Sequence, residues 1–267
     1  MPVELSGSRV LLTGATGGIG YAIAHALHAR GAQLVLTGRK IEVLDELASE
    51  LGARVETQPL DLSEAAAVHG FAADAGPVDV FVANAGLPGT GQIGEYTTEQ
   101  IDRVLDVNLR SPIHMTHALL PGMLERGRGH LVYISSISGK VATAFSSLYN
   151  ATKFGLRGFS FAMHEDLRGT GVGATAVFPG PVADAGMWAD GGLDLPPGVR
   201  ASKPSAVAEA VITGIEKDRP EINVGNPIER LGGLLAGPAP RLVSLFNRHG
   251  PTNQLAEALA ERQADKR

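Results

Sequence analysis

Arg9-Val10-Leu11-Leu12-Thr13-Gly14-Ala15-Thr16-Gly17-Gly18-Ile19-Gly20 begins as a short apolar run, turns on glycines and continues into a helical pattern. Over residues 19–30 the apolar Ile23, Ala26 and Leu27 share one face, and Gly31 ends the pattern. A strand, a tight turn and a helix in that order bring free backbone N–H groups and the positive end of a helix dipole to one point. That arrangement suits a pyrophosphate. The other use of such a turn is a strand-to-helix corner with no ligand.

The same alternation continues outward. Residues 33–37 read as a second strand, followed by a helix over 41–51. Further apolar runs at 54–58, 78–83, 131–135 and 173–178 read as strands three to six. They are short and mostly unalternating, as strands buried on both faces are. Strand-helix alternation of this kind predicts an α/β fold: one Rossmann-like, doubly wound parallel sheet with helices on both faces. No repeat or linker divides the chain, so one domain is expected over residues 1–267. The glycine- and proline-broken stretch 181–203 is expected to be a substrate loop. Residues 228–267 are expected to form a C-terminal helical extension, covering the cleft or a subunit contact.

Bulk composition narrows the function classes. At 44% hydrophobic residues the chain is not disordered. It has no cysteine, which excludes disulfides and thiolate-held metals and fits a cytoplasmic location. A net charge of -5 without a basic block leaves nucleic acid no electrostatic footprint. The first residues lack a signal-peptide pattern, and no apolar run approaches the ~18 residues of a transmembrane helix. His114 and His117 have no third ligand motif beside them, so no metal is expected. Phe154, Phe159, Phe161 and Met163 read as core and subunit interface, and Glu165-Asp166 as a solvated face.

A second constellation carries chemistry. Tyr149 and Lys153 are four apart, so a helix places them on one face, and Ser136 stands thirteen positions before the tyrosine. A phenol can serve as acid/base near neutrality if its pKa falls by about three units, or ~4 kcal/mol. A neighbouring ammonium acts in that direction. Ser136 can donate to a substrate oxygen. Spacing to Tyr149 and Gly139 selects Ser136 over Ser135 and Ser138. After the second strand comes Gly38-Arg39-Lys40, with no acid to hold ribose hydroxyls. Arg39 suits a 2′-phosphate, which favours NADP(H) over NAD(H). Thr16 is neutral and adds no preference.

In order along the chain, Thr13-Gly14-x-x-x-Gly18-x-Gly20, Asp61-Leu62, Asn84-Ala85-Gly86, Val107-Asn108, Ser136 with Tyr149-x-x-x-Lys153, and Pro179-Gly180-x-Val182 resemble the short-chain dehydrogenase/reductase superfamily. The resemblance covers roughly residues 5–180. It implies that Gly14, Gly18, Ile19 and Gly20, with Thr16, shape the pyrophosphate site and that Arg39 meets the 2′-phosphate. It implies that Asp61 and Leu62 border adenine, that Asn84 and Gly86 lie beside adenosine and ribose, and that Val182, after Pro179 and Gly180, offers backbone to the nicotinamide carboxamide. Tyr149 would be the acid/base, Lys153 its partner and ribose anchor, Ser136 the oxygen donor, and Asn108 the holder of a water linking Lys153 to solvent. Two positions depart from the pattern. Ala83 stands where a first asparagine is common, and Asp184 stands where a carboxamide-holding threonine is common.

The expected activity is NADP(H)-dependent interconversion of a carbonyl and a secondary alcohol on an apolar small molecule, by a homodimer or homotetramer. An NAD-preferring alcohol dehydrogenase and a non-catalytic dinucleotide-binding sensor or scaffold are the alternatives. A hydrolase lacks its Gly-x-Ser-x-Gly elbow.

Overall fold

A computed structural model describes residues 3–186, 201–226, 233 and 252–263. In chain order the elements are β1 (Arg9–Thr13), α1 (Gly18–Ala29), β2 (Gln33–Gly38), α2 (Ile41–Leu51), β3 (Val55–Pro59), α3 (Ala65–Asp74) and β4 (Val80–Ala83). They continue with α4 (Thr98–Leu105), a π-helical turn (Asp106–Arg110), α5 (Ser111–Glu125), β5 (Gly129–Ile134), a 3₁₀ turn (Ile137–Gly139) and α6 (Ser147–Asp166). Then follow β6 (Val172–Pro179), α7 (Pro204–Lys217), β7 (Glu221–Val224) and α8 (Thr252–Arg262).

The strands form one sheet of order β3-β2-β1-β4-β5-β6-β7, and every pairing is parallel. Both faces are buried, and the side chains divide between them with the two-residue period of a strand. Val10, Leu12, Leu34, Leu36, Val80 and Val82 pack with Ile23 and Leu27 of α1 and Val207 and Val211 of α7. Leu11, Val35, Phe81, Leu131 and Tyr133 pack on the other face with Met115 and Met123 of α5 and Leu156 of α6. A run such as Val10-Leu11-Leu12 therefore serves two cores, and this is why it does not alternate.

Most boundaries fall within two residues of the sequence reading. Strand five starts at Gly129 rather than Leu131, because Gly129 and His130 pair with Val172 and Gly173 of β6, and Met123 lies so close that a Cβ on Gly129 would be 2.7 Å from its sulfur. The seventh strand was not foreseen. It has four residues, two of them the polar Glu221 and Asn223, and it is a strand only because β6 supplies a partner. Phe159 and Met163 pack on the second core, whereas Phe154 is exposed. Among the described residues no helix is long and apolar enough to cross a membrane.

The strand order reverses between β1 and β4, which opens a crevice beyond their carboxyl ends. Thr13 closes its floor. Its buried hydroxyl accepts from the N–H groups of Asn84 (3.1 Å) and Ala85 (3.2 Å). Asn84 answers with its side-chain amide, donating to the carbonyls of Thr13 (3.0 Å) and Gly14 (3.1 Å).

Candidate active site

A cleft of about 840 Å³ occupies this crevice. Its walls include Gly14, Thr16, Gly17, Gly18, Ile19 and Gly20 of the first turn and Arg39 after β2. Asp61 and Leu62 after β3, Asn84 and Gly86 after β4, and Ser136, Tyr149, Lys153, Pro179, Gly180 and Val182 also line it. Asn108 lies behind this wall, fully buried.

The glycine turn has a packing logic of its own. Gly14 has φ +67°, and a Cβ there would sit 2.8 Å from Ala85 Cα. A Cβ on Gly18 would be 2.7 Å from Ala185 Cβ, and one on Gly20 would be 2.1 Å from the Gly14 carbonyl oxygen. The protein itself thus forbids side chains at the three positions that the sequence reading gave to ligand approach. Gly17 is the more open glycine: a Cβ there would meet only the Gly14 oxygen, at 3.6 Å. It is the N-cap of α1, no side-chain hydrogen bond caps that end, and it faces the cleft. An uncapped helix start facing a cleft offers free N–H groups and a positive dipole end, which suit an anion.

Around the far end of this turn the side chains are basic. Gly38 closes β2, and a Cβ there would lie 3.0 Å from the Thr16 methyl, so the turn leaves little room for an acid. Arg39 and Lys40 are exposed and line the cleft with Arg103 of α4, which no motif had marked. Burial pushes the Asp61 carboxyl up. The Ser63 hydroxyl and amide, with the charges of Arg39 and Arg103, more than offset this and hold it below the usual carboxylate range.

The catalytic candidates meet at the other end. Ser136 ends the stretch after β5 and caps the 3₁₀ turn, its Oγ accepting from the Ser138 N–H at 3.1 Å. Ser135 points away, donating to the Lys153 carbonyl at 3.1 Å. Gly139 makes this approach possible, since a Cβ there would lie 2.6 Å from Ser135 Oγ and 2.7 Å from that carbonyl. Ser136 lies beside the Tyr149 phenol, whose pKa its hydroxyl pulls down, and its Oγ donates to the Pro179 carbonyl at 3.5 Å. Tyr149 and Lys153 are both buried on α6, with the lysine Nζ 5.6 Å from the phenol ring centroid and donating to the Ile134 carbonyl at 2.9 Å.

The electrostatics differ from the expectation. Burial raises the Tyr149 phenol well above its ordinary value, and the Ser136 hydrogen bond only partly opposes it. Burial also lowers the Lys153 ammonium to about 8. The lysine does not draw the phenol toward neutrality here, because desolvation penalises the charged form of both groups. A neutral phenol is a proton donor.

Asn108 sits in the π turn between α4 and α5. Its Oδ1 accepts from the Leu87 N–H at 2.7 Å, and its Nδ2 donates to the Leu87 carbonyl at 2.9 Å and to Thr152 Oγ1 at 3.4 Å. The side chain thus straps the loop after β4 to the helix that carries Tyr149.

Val182 pairs with Ser202 in an isolated parallel bridge, and Ala183 N–H donates to the Ser202 carbonyl at 2.9 Å. Asp184 is exposed, has φ +56° and stands outside the cleft wall. Of the expected substrate loop, residues 187–200 lie outside the described residues. The wall near Tyr149 also contains Thr90, Ser138, Thr143 and Ser146, with Leu259 and Gln263 from the C-terminal segment. Sequence spacing gave no signal for these, since they come from separate segments of the chain. Among the described residues no cluster of metal ligands is present.

A family model described as short chain dehydrogenase matches residues 8–193. The chain belongs to the short-chain dehydrogenase family. As a member it is an NAD(P)-dependent oxidoreductase. Among similar proteins, the ketoacyl reductase HetN of Nostoc sp. is 36% identical over 232 residues, covering 84% of this chain and 81% of that one. The NADP-dependent 3-hydroxy acid dehydrogenase YdfG of Salmonella typhi is 40% identical over 178 residues, 65% of this chain and 72% of that one. A short-chain dehydrogenase of Sphingobium yanoikuyae in complex with NADPH superposes with a TM-score of 0.75 at 28% identity, covering 89% and 95% of the two chains. This dehydrogenase shares its seven-strand parallel sheet with such neighbours.

Proposed function

We propose that the chain is an NADPH-dependent carbonyl reductase with Tyr149 as proton donor. The observation that carries this reading is the meeting of Ser136, Tyr149 and Lys153 on the wall of a cleft whose other end is lined by Arg39 and Lys40. The glycine turn and the uncapped start of α1 fit a pyrophosphate, and the exposed Arg39 fork fits a 2′-phosphate. Bound NADPH supplies a hydride.

The protein's own groups handle the proton. Ser136 donates to the carbonyl oxygen and stabilises the charge that develops there. Tyr149, held neutral by burial, gives its proton to that oxygen. Lys153, whose pKa of about 8 leaves it mostly protonated at pH 7, places its charge beside the phenol as the proton leaves. We assign Asn108 a positioning role through Leu87 and Thr152. The names of two relatives, a ketoacyl reductase and a 3-hydroxy acid dehydrogenase, support a substrate with a second oxygen function.

A panel of ketones and alcohols followed by nicotinamide absorbance with each cofactor tests the reading. Reduction with NADPH is expected, and Tyr149→Phe should lower kcat by about 10²–10⁴ while leaving NADPH binding intact. Full activity in that variant would overturn it.

A further inference from the structure

We propose that Lys140, held by Glu221 and Asn223 of β7, is a positioning residue that keeps the Ser136 hydroxyl in place for the substrate oxygen; this rests on the reductase reading. Ser136 stands at the head of the 3₁₀ turn. Its carbonyl accepts from the Gly139 N–H at 2.8 Å, its Oγ accepts from the Ser138 N–H at 3.1 Å, and the Ile137 carbonyl accepts from the Lys140 N–H at 2.9 Å. Whatever anchors Lys140 therefore anchors the serine. Ile137 and Ser138 line the cleft, whereas the Lys140 side chain runs to the sheet edge and is only 4% exposed. Its Nζ donates to the Glu221 carboxylate and, at 2.5 Å, to Asn223 Oδ1, and lies 4.1 Å from the centroid of the Phe178 ring.

Three observations support this role. First, Glu221 and Asn223 are two apart on a strand, so both project from one face of β7, and Asn223 Nδ2 donates to Glu221 Oε1 at 2.9 Å. The polar pattern of this edge strand thus has a use. Second, the contacts close a ring. Strand β7 pairs with β6 in the register Phe178 to Asn223 and Pro179 to Val224, and the Pro179 carbonyl accepts from Ser136 Oγ at 3.5 Å. The path runs from Ser136 through the turn to Lys140, across to β7, and back along β6 to the serine hydroxyl. On the opposite side Asn150, the neighbour of Tyr149, donates to the carbonyls of Ser138 at 2.6 Å and Val141 at 3.1 Å. The turn is therefore held between the edge strand and the helix that carries the phenol. Third, burial penalises both charges. It lowers the Lys140 ammonium against the pull of Glu221. It pushes the Glu221 carboxyl up, but hydrogen bonds from Lys140 and Asn223 more than offset this and hold it below the usual carboxylate range. A buried ion pair adds little net stability over an apolar pair of similar size. What an ammonium with two charge-assisted or polar acceptors adds is direction.

The test is a double-mutant cycle with a 3-oxo ester and NADPH as probes. The paired change Lys140→Met with Glu221→Leu removes both charges and leaves neither ion buried alone, so urea unfolding should show a protein about as stable as the wild type. Its kcat should fall about 10- to 100-fold, the loss expected when a reacting group is misplaced by about 1 Å. The Kd for NADPH, read from nucleotide fluorescence, should change less than about twofold. Made in a Ser136→Ala background, the same paired change should lower kcat less than about twofold, because no hydroxyl remains to be positioned. A merely structural pair would cost the same factor in both backgrounds, and that result overturns the proposal, as would an unchanged kcat or a loss confined to NADPH binding. Asn223→Ala keeps the ion pair and removes one acceptor. It should lower kcat about threefold, again only where Ser136 is present. If the paired variant does not fold, this variant carries the test, and a wild-type kcat in it overturns the proposal. Equal losses in an enzyme that reduces the ester sink this inference alone. If the wild type reduced no carbonyl, the reductase reading would fall and this inference with it.

Discussion

Replacing Lys153 by methionine should leave an inactive protein that is more stable than the wild type at neutral pH. The amine is 3% exposed, and burial lowers it from 10.5 to about 8. The unfolded chain binds the proton more tightly, so the native state is penalised in full below about pH 8 and less and less from there to 10.5. By linkage the penalty is about 3 kcal/mol at pH 7 and falls to about 1 kcal/mol at pH 10. Stability of the wild type therefore gains about 2 kcal/mol from this group as pH rises through that window. Methionine has similar length and no charge, and its cost is the hydrogen bond to the Ile134 carbonyl, about 1 kcal/mol. Lys153→Met should accordingly be about 2 kcal/mol more stable at pH 7, and the two proteins should be nearly equal at pH 10. Urea unfolding followed by far-UV circular dichroism at pH 7, 8, 9 and 10 measures this, because other titrating groups cancel in the difference. If the two stabilities ran parallel across the window, the reasoning that this lysine is held charged against its environment would be wrong.

His130 should govern part of the acid limb. It is fully buried, and burial lowers it to about 4 against the weaker pull of Asp218, so it must take up a proton on unfolding. Stability should fall by about 3 kcal/mol between pH 7.5 and 4 on its account, and His130→Gln should flatten that limb in urea titrations. Removing the guanidinium in Arg39→Ser should lower kcat/KM for NADPH about 10- to 100-fold and alter that for NADH by no more than a few-fold, as read from initial rates. Gly20→Ala drives a Cβ to 2.1 Å from a backbone oxygen and should destabilise strongly. Gly158→Ala, with nothing within 4 Å on an exposed face of α6, should stabilise by about 0.5–1 kcal/mol in thermal unfolding.

The fold could be read from the chain because its signals are local. Apolar runs such as Val10-Leu11-Leu12 and Val80-Phe81-Val82, alternating with helical patterns, specify a parallel sheet covered on both faces. Tyr149 and Lys153 were legible for the same reason, since a spacing of four puts two residues on one helix face wherever that helix goes. The edge strand Glu221–Val224 was not, because its polar residues take the extended form only against β6.

The sequence by itself determined the sheet, the glycine turn and the placing of Tyr149 and Lys153 on one helix face, all of which follow from periodicity and from residue chemistry at fixed spacing. Tertiary structure alone decided that Gly14, Gly18 and Gly20 are demanded by neighbouring backbone and side chains, that Ser135 turns away to the Lys153 carbonyl, and that burial keeps the phenol protonated. It also brought Gln263 to Thr90, 173 positions away in the chain. Desolvation and through-space contact depend on what surrounds a group, and spacing along a chain does not encode that.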